Sequence, residues 1–389
     1  VHDREAHKDC FDIIKRENNG SKVLYHCFSG SVEYMKECVK EGWTIAIGGV
    51  VTFKNAVKIK DVAKEANVAT STVSRVLSNS PRISEETKKK VNKAIKKLNY
   101  TPNVVARGLA NNRTRILAVV LPDGAEKMFS NPFFAQALKG ISVCAQKENY
   151  YIMYGFKDEC SSDGWIKQFT ESNLVDGLCL FNAKDNDEDI EYLKKINFPF
   201  VIIGRPEEVK GVLWADNDNF QAMYLLTQKL IEMGHETIGF IGAKGNLNMS
   251  KDRLEGYKQA LRSRGVEARE ELIIECADFT EKCGYIAMED IIKNDDVTAI
   301  LTTDDLLAFG AQDKMKDSGK EQIVVVGFNN TPLAEYRSTP LASVDVKAEE
   351  LGYYGAKLLI DKLERKTIGK NFYIIDTELV ERKSLFADL

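Results

Sequence analysis

Histidine is scarce in this chain. There are four in 389 residues, and three of them fall in the first 57. The remaining one, His235, closes a helical stretch before a strand and reads as structural. Little is left for imidazole-based acid–base chemistry or for a metal site. Nor is there a nucleophile elbow, a phosphate-binding loop or a metal-spaced cluster, so catalysis is not expected. The eight cysteines are scattered and none has a Cys-x-x-Cys spacing. They read as reduced, mostly buried thiols of a cytoplasmic protein rather than a disulfide framework. No apolar run approaches the roughly 18 residues that span a bilayer. No basic stretch precedes an apolar one near the start, so no secretory signal is expected.

What is present is ordinary for a globular protein: 44% hydrophobic and 29% charged residues, in a length that suits two or three domains. The net charge of −4 hides an asymmetry. Between Lys58 and Arg115 there are fourteen basic and four acidic residues, a local excess of +10 on an otherwise acidic chain. A compact basic segment of this kind is an electrostatic footprint for a polyanion.

Three short apolar stripes lie within that segment. Ile59, Val62, Ala63 and Ala66 recur at helical spacing, as do Val73, Val76 and Leu77, and then Val91, Ala94, Ile95 and Leu98. Asn67 and Val68 lie in the turn between the first two, and Ser84 is placed to cap the third. Three small helices, each burying one face, predict a helix-turn-helix unit. The second helix, TSTVSRVL, carries small polar side chains outward and could enter a major groove.

The run IKDVAKEANVATSTVSRVLSNSPRISEETKKKVNKAIKKLNYTPNVVARGLA resembles the headpiece of the LacI/GalR family of bacterial repressors along its whole length. The resemblance implies a DNA-binding headpiece over 58–102 and a hinge helix over 103–113. Thr70, Ser71 and Arg75 would face bases, and Thr72, Ser74 and Asn103 would hold phosphates. Leu109, with Ala106 beside it, would be an apolar wedge in the minor groove. Two residues depart from the family pattern. Lys58 and Ala69 stand where capping Thr and Ser are usual, and Thr70 is expected to take over the second cap.

From residue 116 short apolar runs alternate with helical stretches, which predicts a doubly wound α/β body long enough for two lobes. Ligands in such folds sit at the carboxyl ends of strands. The family phrases continue here: NPFFAQALKGI, DNDNFQAMYLLTQKLIEMGHETIGFIG, DRLEGYKQAL and LTTDDLLAFGA. They imply a periplasmic-binding-protein-like effector core over 114–389. Its N-subdomain would span about 116–211 and 341–367, and its C-subdomain about 212–340 and 370–389. Phe134, Arg253, Phe279, Asp304 and Asn329 would contact the effector, with Asn329 standing where the family often has Asp. Trp214 is weighed against as a second stacking surface. FVIIGRP, ADNDN and FYIIDTELVERKS look most like repressors of maltose operons within the family.

The first 57 residues read as strand, helix, strand, helix, strand. VHDREAH and HCFSG resemble phrases of TatD-family metal-dependent hydrolases, which are (β/α)-barrel enzymes that cleave DNA. By that match His2 and His26 would be remnants of a metal site. The other ligands have no counterpart, and about three strands cannot close an eight-stranded barrel. No functional metal is therefore expected, and the segment is either a tolerated appendage or a join between two coding sequences.

The expected whole is a cytoplasmic, homodimeric repressor without cofactor or membrane. It would bind a pseudo-palindromic double-stranded operator and answer to a small sugar, maltose or a related oligosaccharide. The alternatives are a carbon-catabolite regulator with a phosphoprotein corepressor and a metal-dependent DNase.

Overall fold

The structure is a computed structural model. It describes residues 7–25, 31–45, 57–77, 80, 82–100, 113–122, 130–156, 164–181, 184, 186–266 and 268–386. His2, His26, Asn103, Ala106 and Leu109 lie outside the described residues. The chain divides into two compact units, residues 1–107 and 108–389. No helix among the described residues is long and apolar enough to cross a membrane.

The first unit opens with α1 (His7–Glu17), β1 (Leu24–Tyr25), α2 (Val32–Lys40) and β2 (Thr44–Ile45), the two strands pairing in parallel. Tyr25, Cys38 and Trp43 form its small buried core. Then come α3 (Ile59–Ala66), α4 (Thr70–Leu77) and α5 (Glu85–Lys97). Val62, Ala63, Val73, Val76, Val91 and Ala94 are buried together, so the three stripes of the sequence make one core. Asn67 ends α3 at φ 52°, a left-handed conformation that Asn tolerates well and that turns the chain into α4. Lys58 supplies no capping hydroxyl, but its backbone N–H donates to Asp61 Oδ2 at 2.7 Å, which satisfies one of the exposed amides at the helix start. Thr70 is not the second cap that the sequence suggested: it is already the first residue of α4.

The second unit alternates β3 (Ile116–Leu121), α6 (Pro132–Lys147), β4 (Tyr151–Phe156), α7 (Trp165–Glu171), β5 (Gly177–Phe181), α8 (Glu188–Lys195), β6 (Phe200–Ile203) and β7 (Leu213–Asp216). It continues with α9 (Asn219–Glu232), β8 (Ile238–Ala243), α10 (Asn248–Ser263), β9 (Ile273–Cys276), α11 (Glu281–Ile291), β10 (Ala299–Thr302), α12 (Asp305–Asp317) and β11 (Val324–Phe328). It closes with α13 (Leu333–Tyr336), β12 (Ala342–Asp345), α14 (Ala348–Leu363), β13 (Phe372–Ile374) and β14 (Glu378–Val380). One six-stranded sheet has the order β13-β7-β6-β5-β3-β4, all parallel. The other has the order β14-β12-β11-β10-β8-β9, with only β14 antiparallel. Their central strands are buried along their length, Ile116 at the start of β3 excepted, as continuous Val/Ile/Leu runs in a sheet covered on both faces require.

The strand pairing corrects the subdomain boundaries. β7, at 213–216, and β13, at 372–374, belong to the first sheet, and β12, at 342–345, belongs to the second. The chain therefore crosses between lobes after Asp216, after Asp345 and after Ile374. A strand of only three or four residues carries no sequence mark of the sheet it joins. Asn217 ties the three crossings together, its Nδ2 donating to Val346 O at 3.0 Å and to Ile375 O at 2.8 Å. Trp214 is 6% exposed and stacks on Phe372 at 4.9 Å, so it fills the core of the first lobe.

Candidate functional site

The cleft between the two lobes is an open hollow of about 640 Å³, its solvent-filled mouth included. The rule for open parallel sheets places a ligand site at strand carboxyl ends. Here Gly204 and Arg205 follow β6, Asp216 and Asn217 end β7, Asp304 follows β10, and Asn329 follows β11; all line the cleft. Phe134, Arg253, Phe279, Asp304 and Asn329, the five residues expected from the sequence, lie together on its walls.

Asp304 is the best-connected of them. As the cap of α12, its Oδ1 accepts from Leu306 N at 2.7 Å. Its Oδ2 accepts from Asn329 Nδ2 at 2.8 Å and from Asn131 Nδ2 at 3.0 Å, the latter reaching across from the first lobe. An ionised carboxylate offers about four acceptor positions, so roughly one remains for a ligand. Burial pushes the Asp304 carboxyl up to about 6, against the pull of these donors.

Arg253, from α10, is 3% exposed. Its Nε donates to Asn219 Oδ1 at 2.9 Å and its Nη1 to Thr303 O at 2.6 Å. The guanidinium lies over the Phe328 ring at 3.8 Å, a cation–π contact that helps hold it flat. Burial lowers it to about 10, opposed chiefly by Asp216 and then Asp304, so it remains charged at neutral pH. Burial likewise raises Asp216 to about 6. Asp216 accepts from Asn217 N and Asn219 Nδ2 through Oδ1, and from Arg205 N through Oδ2. Arg253 is thus aimed by a shell of fixed acceptors rather than by a single partner.

Phe134 stands edge-on to Phe133 and Phe181, with ring centroids 5.5 and 5.4 Å away, and Phe279 lies in the loop after β9. The cleft therefore presents aromatic faces together with buried donors and acceptors. Sequence reasoning missed Asn131, Arg205, Asp216, Asn217 and Asn248. GRP after FVII was a usable signal, since it follows the carboxyl end of a legible strand.

In the first unit Thr70, Ser71, Ser74 and Arg75 are exposed along α4, and Thr72 is half-buried. Val73 and Val76 face inward, so the polar side of the helix is the outer one. Among the described residues no cluster of His, Cys, Asp and Glu could hold a metal.

The model for bacterial regulatory proteins of the lacI family matches residues 58–103, and that for periplasmic binding protein-like domains matches 227–385. A transcriptional regulator from Thermobifida fusca, CelR, is 31% identical over 329 residues, covering 83% of this chain and 96% of its own.

This chain belongs to the LacI family.

Among other LacI-family relatives, the regulator MalR of Streptococcus pneumoniae is 41% identical over 256 residues, covering 65% of this chain and 78% of its own. A solved structure titled as the CelR–cellobiose complex superposes with a TM-score of 0.65 at 30% identity, covering 84% of this chain and 99% of that one. Like these LacI-family proteins the chain is a transcription regulator and not an enzyme. Neither family model reaches residues 1–57, and the hydrolase resemblance of that segment gains no support from these relatives.

Proposed function

We propose that the chain is a sugar-controlled repressor whose effector is maltose or a related oligosaccharide, bound in the cleft. The observation that carries this reading is the convergence of Phe134 and Phe279 with Arg253, Asp304 and Asn329 in one cleft of about 640 Å³. Aromatic faces cover the apolar side of a pyranose ring, and fixed charged groups and amides satisfy its hydroxyls. The cellobiose in the solved CelR complex supports an oligosaccharide over other small molecules.

On the DNA side, Thr70, Ser71 and Arg75 read base edges, and Thr72, Ser74 and Asn103 contact phosphates. Leu109 and Ala106 wedge into the minor groove. Two headpieces of a homodimer would meet a pseudo-palindromic operator. Sugar and operator then oppose one another only if the sugar binds the two conformations with different affinity. The test is operator binding by the full chain, on DNA selected from a random pool, titrated with maltose, maltotriose, cellobiose and ribose. A shift with the maltose series supports the reading. Unchanged operator affinity with every sugar removes the effector claim.

A further inference from the structure

Two thiols stand at the base of the loop that carries Phe279 into the cleft. Cys276 is the last residue of β9 and is 8% exposed, while Cys283 lies in the first turn of α11 and is half-buried. Cys276 Sγ donates to Cys283 O at 3.6 Å, and both side chains pack on the same apolar cluster of the second lobe. Their backbones are fixed from either side. Cys276 pairs with Ala243 of β8, and its carbonyl accepts from Lys244 N at 3.1 Å. α11 lies backbone to backbone on α12, since a Cβ at Gly284 would overlap Leu307 O and one at Gly310 would overlap Glu281 O.

Between these anchors runs the short segment from Ala277 to Lys282. Lys244 Nζ lies 3.2 Å from Asp278 Oδ1 and 6.0 Å from the centre of the Phe279 ring, and Thr280 Oγ1 accepts from Cys283 N at 3.2 Å. Phe279 is among the residues that line the cleft, and neither cysteine is. A change at the base of so short a span reaches the ring.

We infer that Cys276 and Cys283 form a modification site for a hydroperoxide, which closes them into a disulfide and so displaces Phe279 in the cleft. Cys283 is the accessible partner: among the described cysteines only Cys10 and Cys283 are not buried. With hydrogen peroxide, the Cys283 sulfur attacks one oxygen, the O–O bond breaks, the thiol proton leaves with the departing oxygen as water, and Cys283 becomes a sulfenic acid. The Cys276 sulfur then attacks that sulfur. The S–S bond forms, the S–O bond breaks, and the Cys276 proton leaves with the hydroxide as a second water. The two thiols lose the two electrons that the peroxide gains, and a dithiol reductant reverses the change by exchange. Burial pushes the Cys276 thiol up to about 12, with the neighbouring Cys283 adding to it, so Cys276 is inert alone and enters only as the resolving partner. Bonding brings the sulfurs to about 2.05 Å, so Cys276 must release Cys283 O and the Cys283 side chain must turn inward.

The chemical step needs no sugar; only its effect on the cleft rests on the effector reading. The full chain is treated with hydrogen peroxide, remaining thiols are alkylated, and tryptic peptides are weighed. Trypsin cuts after Arg269, Lys282 and Lys293, so the bond appears as 270–282 joined to 283–293, and dithiothreitol separates the two. Cys283→Ser gives no joined pair, and Cys276→Ala leaves Cys283 as a sulfenic acid that dimedone traps. Recovery of the two peptides only apart, or of Cys283 joined to another cysteine or to a second copy, overturns the site. In the calorimeter, maltose binds the oxidised chain about 2- to 10-fold more weakly, the scale of one aromatic contact. Dithiothreitol restores the affinity, and Cys283→Ser binds like the reduced protein before and after peroxide. If maltose does not bind the reduced protein, the effector reading fails, and amide hydrogen exchange of residues 277–281, slower in the oxidised chain, decides the effect on the loop. A joined pair with both affinity and exchange unchanged overturns the control of Phe279.

Discussion

At the scale of single residues, the departure of Asn329 from the family's usual Asp has a physical cause. Asn329 donates its amide to Asp304 Oδ2 at 2.8 Å in a fully buried setting. An Asp there would set two carboxylates against each other with no donor between them. Asn329→Asp is therefore expected to destabilise the effector unit, and the loss should depend on pH. Burial already holds Asp304 up at about 6, so its folded-state value lies above its ordinary value of 3.8. A carboxyl shifted in that direction binds more protons folded than unfolded between about 4 and 6, so its contribution to stability declines as pH rises through that window. The second carboxylate widens the shift. At pH 5 one of the pair is protonated and donates to the other, and the variant unfolds near the unaltered protein. At pH 7.5 both are driven to ionise and the deficit grows to about 1–3 kcal/mol. Urea unfolding at the two pH values measures this; a deficit equal at both would mean that charge repulsion is not its origin.

At the scale of elements, legibility followed burial. β3, β5, β6, β8, β10 and β11 stand out in the sequence because strands covered on both faces need unbroken apolar runs. β13 and β14 have three residues each, half-buried or exposed, and nothing in FYI or ELV distinguishes the two sheets they join. The same blindness hid part of the cleft: without β7 as a strand, Asp216 and Asn217 are not at a carboxyl end and do not read as lining residues. Arg253, Asp304 and Asn329 were found through family phrases, since periodicity alone does not separate a cleft arginine from a brace between lobes. Helix contacts were less legible still. Gly140 and Gly352 look in sequence like ordinary helix-weakening glycines, yet each is where α6 and α14 touch through backbone. Gly140→Ala should cost about 1–3 kcal/mol by forcing the pair apart, although Ala is the better helix former. Gly369→Ala, where an added Cβ meets nothing within 4 Å, should change stability by less than about 0.5 kcal/mol. Equal effects of the two on the urea midpoint would mean that the close approach does not constrain the helices.

At the scale of the whole effector unit, the two lobes are joined in two different ways. Covalent crossings stapled by Asn217 act as the pivot. Non-covalent contacts elsewhere set how far the lobes close: Asn131 to Asp304, Asn248 Nδ2 to Arg205 O at 3.0 Å, the isolated bridge between Lys184 and Leu247, and the Arg205–Asp252 ion pair. Arg205 Nη2 reaches both Asp252 oxygens, at 2.7 and 2.5 Å, from the end of β6 to helix α10 of the other lobe. Both side chains are partly exposed, at 40% and 24%, so the pair is screened and worth only about 0.2–1 kcal/mol. That is too little to hold the lobes rigidly, but enough to bias closure about 1.4- to 5-fold, since 1.4 kcal/mol is tenfold. Asp252→Asn should therefore weaken effector binding by about that factor, with little effect on thermal stability. Arg205→Asp combined with Asp252→Arg should recover most of the loss, because the geometry admits an ion pair of either polarity. Raising salt from about 0.05 to 0.5 M should weaken binding to the unaltered protein and leave the Asp252→Asn variant nearly flat. Calorimetric titration with maltose reads all three. Failure of the charge swap to recover affinity, with equal salt slopes in the unaltered and Asn forms, would show that the pair decorates the rim of the cleft without governing its closure.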